Sequence, residues 1–192
     1  MSGSEFQQRE VARRAYSREF NDGTYTFTES DEERAPVYQL LPTGEAVNRV
    51  FVVGTITDVE DVGDDTTYYH ARVADPVGTF HAYAGEYQPE IVQRLDTISP
   101  PEYVAITGKP RTYETDGGSV NVSIGPEALG IVDDETRQRW IVETAERTLD
   151  RIAGFANADS PYPQMATEVY GTAIDVYRGM VLEALESLDA HN

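Results

Sequence analysis

Arg49-Val50-Phe51-Val52-Val53-Gly54-Thr55-Ile56-Thr57-Asp58, followed by Tyr68-Tyr69-His70-Ala71-Arg72-Val73-Ala74-Asp75-Pro76-Val77-Gly78-Thr79-Phe80-His81-Ala82-Tyr83-Ala84-Gly85, decides the fold. The first run is rich in β-branched and aromatic residues, which suit a pleated surface. Gly54 lies inside it, where glycine marks a bulge or bend, and a small barrel needs such a bend so that one strand can serve both sides of the closure. Asp75-Pro76-Val77-Gly78 carries the residue preferences of a type I turn and joins two strands as a hairpin. Side chains alternate across a strand, so Tyr69, Ala71, Val73, Phe80, Ala82 and Ala84 share the inner face. Tyr68, His70, Arg72, His81 and Tyr83 then fall on the outer one.

Downstream, Tyr87–Leu95 reads as a short helix, with Pro89 in its first turn, that plugs one end of the barrel. Val104–Tyr113 reads as a strand that places Lys109, Arg111 and Tyr113 on one face. Asp116-Gly117-Gly118 turns the chain into a last strand with Val120, Val122 and Ile124 inward. Strand, strand, strand, helix, strand, strand over residues 48–125 is the order of a five-stranded, partly open Greek-key barrel, the OB-fold, whose outer face binds nucleic acid or sugar chains. An aromatic and cationic strand face can stack on bases while its charges meet phosphates. The same long side chains can instead serve only to block edge pairing.

The flanks read differently. In residues 1–47, Phe6, Val11, Ala15, Tyr16 and Phe20 give an apolar stripe to a helix over 5–20, with Arg9, Arg13, Arg14 and Arg18 on its other faces. Thr24–Thr28 alternates like a short strand. Val37–Leu41 is an apolar run suited to covering a barrel edge, broken by Pro42-Thr43-Gly44. The loop Glu60–Asp65 is acidic but lacks the spacing of a calcium loop. In residues 126–192, Trp140, Ile141, Ala145, Leu149, Ile152 and Ala153 repeat at helical spacing, Asn157–Pro163 interrupts it, and a second helix runs from Ala166 to Leu185. The pair reads as a helical hairpin. Its apolar stripe can pack on the barrel or meet another subunit; Trp140, Tyr170, Ile174, Tyr177, Val181 and Leu185 are the candidates for the second role. The fold class is therefore mainly β with α: an OB-fold barrel preceded by an N-terminal helix and followed by a C-terminal helical hairpin.

The chain has 192 residues, of which 40% are hydrophobic, enough for a real core. No apolar run approaches the ~18 residues of a membrane span. Met1–Glu5 lacks the charged and apolar regions of a signal peptide. The absence of cysteine excludes disulfides and thiolate chemistry and fits an intracellular protein. The net charge is −19, from 34 acidic and 15 basic residues, and Lys109 is the sole lysine. The charge is spread as −4, −7 and −8 over residues 1–47, 48–125 and 126–192, as expected of a solvated surface in multimolar salt. Nucleic-acid binders usually carry a basic footprint. That objection weakens in strong salt, where the Debye length is only ~3 Å at 1 M and counterion release loses its driving force. Base stacking, worth ~1–3 kcal/mol per base, then carries binding, and twelve tyrosines and six phenylalanines supply the rings.

Ala71–Phe80, with Tyr83-Ala84-Gly85-Glu86-Tyr87-Gln88-Pro89-Glu90 after it, resembles replication protein A-like proteins of halophilic archaea, and more narrowly the replication protein A-associated proteins of that group. The resemblance covers most of the chain, including Arg13–Phe20 and Pro42-Thr43-Gly44. It implies a cytoplasmic single-stranded DNA-binding accessory subunit in a hetero-oligomer with a replication protein A large subunit, working in DNA replication, repair and recombination. By analogy with subunits that assemble through a helix after the barrel, it implies that the C-terminal helices hold the partner. On this reading Tyr68, Tyr83 and Tyr113 stack on bases, Arg72, Lys109 and Arg111 meet phosphates, and His70 and His81 lie on the same ligand face. The alternative is a structural adaptor whose barrel and helices join proteins without touching DNA. No phosphate-binding Gly-rich loop, Gly-x-Ser-x-Gly or His-Glu-x-x-His is present, so no enzyme activity, cofactor or resident metal is expected. His70, His81 and Asp75 are a minimal metal or acid–base set with no supporting pattern.

Overall fold

A computed structural model describes residues 11–190. In chain order its elements are α1 (Ser17–Asp22), β1 (Tyr25–Thr28), β2 (Val37–Leu40), β3 (Ala46–Val47), β4 (Val50–Asp61), β5 (Tyr69–Asp75), β6 (Gly78–Ala84), α2 (Pro89–Thr97), β7 (Glu102–Glu114), β8 (Val120–Ile131), α3 (Asp134–Gly154), a 3-10 turn (Phe155–Asn157), α4 (Tyr162–Tyr170) and α5 (Asp175–Asp189). The barrel closes in the order β4-β5-β6-β8-β7, with β7 returning to β4.

Closure depends on one strand with two partners. The first half of β4 pairs with β7, from Val50↔Gly108 to Ile56↔Glu102, and its second half pairs with β5, from Thr55↔Ala74 to Asp61↔Tyr69. Gly54 sits where the partners change over, and a Cβ there would lie 2.4 Å from the Ala74 carbonyl oxygen, so only glycine allows the approach. Asp75 and Gly78 pair at the end of the β5–β6 hairpin, and Asp75 Oδ1 accepts the Val77 N–H at 2.9 Å, as an Asx turn requires. The inner face is as expected: Ala71, Val73, Phe80, Ala82 and Ala84 are buried. The barrel, expected to be partly open, is closed by a parallel meeting of β6 and β8 at Ala82↔Ile124. β8 also runs on past Gly125 to Ile131, still paired with β7.

The expected helix over 5–20 is much shorter. Residues 5–10 lie outside the described residues; 11–16 are not helical, and the helix is Ser17–Asp22. The reason is the free side of the first half of β4. Arg13 bridges to it in parallel, its N–H reaching Arg49 O at 2.7 Å and its carbonyl accepting the Phe51 N–H at 2.9 Å. Satisfying those strand-edge groups outweighs the helical pattern. Val37–Leu40 forms the middle strand of a separate sheet, β1-β2-β3, which meets the barrel at β7. The second C-terminal helix is broken in two at Gly171, which adopts φ 88.

Terminal segments and barrel share one hydrophobic core. Trp140 of α3 lies under the barrel wall: its Nε1 donates to Phe51 O at 2.9 Å and its ring meets Tyr16 edge-on. Tyr16 OH donates to Ile141 O. Behind them is a buried ion pair. Glu19 is fully buried; its Oε1 lies 2.9 Å from Arg151 Nη2 and its Oε2 accepts the Thr43 N–H at 2.9 Å. Of the six side chains considered for a partner surface, Trp140, Tyr177 and Val181 are therefore corrected: they are buried within this chain, with Tyr177 OH donating to Asp22 at 2.8 Å. Tyr170 is half-buried, its hydroxyl donating to Leu40 O at 2.7 Å. Ile174 and Leu185 pack at the margin of the core. The apolar stripe of α3 packs on β4, and α5 packs on α3.

Candidate nucleic-acid interface

β5 and β6 set the outer face by their register. His70 pairs with Tyr83 and Arg72 with His81. Period-two alternation turns all four outward, and the hairpin twist brings diagonal neighbours together. The result is a row of rings. Tyr68 stacks on Tyr83 at 5.7 Å between centroids, Tyr83 on His70 at 4.5 Å and 8°, and His70 on His81 at 5.1 Å. His70 Nε2 and His81 Nδ1 are 2.8 Å apart, so one donates and the other accepts.

Tyr113, on β7, completes the row from the far side of a groove. The groove has a volume of about 320 Å³ and lies against His70, His81, Tyr83, Tyr113, Asn121 and Asn21. Asn121 Nδ2 donates to the Tyr113 hydroxyl at 3.1 Å. Burial first, and then Tyr113, push the Tyr83 hydroxyl above the usual tyrosine range. Burial also holds both imidazoles below the ordinary histidine range, helped by Arg72 and, for His70, by His81. His70, His81 and Tyr83 are thus neutral near pH 7. At the rim, Asp61 Oδ1 accepts the N–H groups of Gly63 and Tyr68, which anchors the acidic loop that carries Tyr68 and holds the Asp61 carboxyl below its usual range.

The structure thus brings Tyr68, His70, His81, Tyr83 and Tyr113 together. His70 is more buried than expected of an outer-face residue, being sandwiched between Tyr83 and His81. Arg72 departs further from expectation. Its guanidinium is hydrogen-bonded to Asp58 and lies 3.9 Å from Glu60, both on β4, so its charge is already matched. Lys109 and Arg111 share the outer face of β7 with Tyr113, as read from sequence, but open into a neighbouring groove beside α2. Sequence reasoning missed Asn21 and Asn121. Asn21 donates through Nδ2 to Thr79 O, while its Oδ1 is buried without a partner. Their only signal was position, a helix end and a strand start beside a turn.

Asp75 does not join the histidines. It accepts the Ser17 N–H and hydroxyl at 2.7 and 2.6 Å, tying α1 to the hairpin. Among the described residues no group of three or more His, Asp and Glu side chains is placed to hold a metal ion. Among them, too, no helix is long and apolar enough to cross a membrane.

No family model and no curated protein matches the chain. Solved structures do. An OBody bound to hen egg-white lysozyme is 20% identical over 45% of this chain and 80% of its own, with a TM-score of 0.35. The second single-stranded DNA-binding protein of Mycobacterium smegmatis is 21% identical over 47% and 89%, with a TM-score of 0.38. The small single-stranded DNA-binding protein of Streptomyces coelicolor is 16% identical over 46% and 95%, with a TM-score of 0.33. Likenesses at this level carry no functional weight here; the OB-fold assignment stands on the closed five-stranded topology and the helices around it.

Proposed function

We propose that the chain is a single-stranded DNA-binding OB-fold subunit, not an enzyme, that acts in the cytoplasm with a replication protein A large subunit in replication, repair and recombination. The observation that carries the binding reading is the row Tyr68–Tyr83–His70–His81 facing Tyr113 across an open groove. Stacked rings on the outer face of an OB-fold offer bases a sequence-tolerant platform. The replication protein A partner and pathway rest on the sequence resemblance alone.

Fluorescence anisotropy with labelled oligo-dT, in roughly 2–3 M KCl where Coulomb steering is screened, tests the reading. Tyr83→Ala with Tyr113→Ala removes two stacking faces, so affinity falls at least about tenfold at ~1–3 kcal/mol per base. Equal affinity for both proteins would overturn the site.

The second reading, a structural adaptor, is favoured by the carboxylates that already engage Arg72 and by exposed Val142, Leu149, Val176 and Leu182 on the terminal helices. It predicts no oligo-dT binding by the chain alone, but co-purification with a protein partner that survives the double tyrosine substitution.

A further inference from the structure

The groove beside α2 is larger than the one at Tyr113, about 530 Å³, and is lined by Tyr87, Glu90, Lys109, Arg111, Gly125 and Glu127 among others. Three observations distinguish it. Tyr87 is 89% exposed, the most exposed large hydrophobic side chain of the described residues. Lys109 and Arg111 are exposed and have no carboxylate within 4.0 Å among the described residues. Among the described residues Arg34, Arg94 and Arg147 also lack a carboxylate partner, but Lys109 and Arg111 stand two residues apart on one strand and line one groove, whereas Arg72 is held by Asp58, Arg151 by Glu19 and Arg49 by Glu127. Arg111 also lies flat across Gly125, where a Cβ would be 2.4 Å from its Nε, so a glycine keeps the guanidinium against β8. Of the two lining carboxylates, Glu127 is occupied by Arg49 at 2.6 and 2.9 Å, and Glu90 stands in the first turn of α2.

The groove is continuous with the ring face. Lys109, Arg111 and Tyr113 alternate along one face of β7, and β8 passes Asn121 and Ser123 at the first groove and Gly125 at the second. At ~3.3 Å per residue, Lys109 stands about 13 Å from Tyr113.

We propose that a single DNA strand leaving Tyr113 continues along β7 into this second groove, with its phosphates on Arg111 and Lys109 and a further base on Tyr87. The extension rests on the binding reading above. Its occupant is chosen by charge complementarity, two unmatched cations for consecutive phosphates, and by continuity with the first groove.

The test is oligo-dT binding at two lengths, about four and about sixteen nucleotides, the limits of OB-fold site sizes. The wild type, Tyr87→Ala and Tyr83→Ala are compared as full chains. The proposal expects the wild type to gain affinity from the short to the long strand and Tyr87→Ala to lose about tenfold on the long one, most of that gain. Tyr83→Ala loses affinity at both lengths. A Tyr87→Ala protein that keeps the whole length-dependent gain overturns the extension and leaves the first groove standing. A wild type that binds neither strand overturns the binding reading and the extension with it.

Discussion

Replacing Arg151 by methionine breaks the buried link between the N-terminal helix and α3. Glu19 is fully buried and reaches no second cation among the described residues; it keeps only the Thr43 N–H at 2.9 Å once Nη2 is gone. Arg151 itself is 10% exposed and gives up bonds to Thr43 Oγ1 at 2.8 Å and Arg14 O at 3.4 Å. Breaking one side of a buried pair costs about 3–5 kcal/mol, because a charge is left behind without its partner. Against a total stability of about 5–15 kcal/mol that is a large share. At about 2–4 °C per kcal/mol for a chain of this size, Tm falls by about 6–20 °C. Urea unfolding followed by Trp140 fluorescence reads the change, since that indole sits beside Tyr16 in the same core. The double variant Glu19→Met with Arg151→Met removes both charges and recovers part of the loss, leaving the Thr43 N–H unmatched at ~1–3 kcal/mol. The penalty persists in strong salt, because buried pairs are screened little, unlike the exposed pair Arg139–Glu135. A single variant that costs under about 1 kcal/mol, or a double variant less stable than the single, would refute this account of the pair.

Three further outcomes follow from particular contacts. Gly54→Ala places a Cβ 2.4 Å from the backbone oxygen of Ala74, and urea denaturation should show a loss of about 1–3 kcal/mol. His70 and His81 are held below the ordinary histidine range, chiefly by burial, so between the folded values and ~6.5 the unfolded chain binds more protons. Stability is therefore complete above pH ~6.5 and declines as pH falls through the folded values; urea midpoints at a series of pH values check this, and a midpoint rising on acidification would contradict it. Asp58→Asn with Glu60→Gln frees Arg72 to meet a phosphate. Oligo-dT binding should then tighten at low salt with a salt slope steeper by about 0.7, and an unaltered slope would exclude Arg72 from the interface.

The barrel was legible because its signals are local. The period-two alternation of β5 and β6, the Asp75-Pro76-Val77-Gly78 turn and the Gly54 bend each state their geometry within a few residues. So was the outward row of Tyr68, His70, His81 and Tyr83, which alternation alone dictates. What was not legible depends on distant partners. Residues 11–16 carry a helical pattern, yet the open side of β4 draws Arg13 into a bridge. Arg72 reads as a free cation until β4 is seen to place Asp58 and Glu60 beside it. Trp140, Tyr177 and Val181 read as a stripe that could face a partner, and only the assembled core shows that it faces inward. The apolar repeat from Ala166 to Leu185 hides the break at Gly171, whose positive φ ends α4.

The most direct test of DNA binding by stacking on this face is a titration of the isotope-labelled chain with oligo-dT, read residue by residue by NMR. The account predicts that the largest shifts fall on His70, His81, Tyr83, Tyr113 and Asn121, the residues around the first groove. Shifts confined to α3 and α5, or none in saturating DNA, would contradict it.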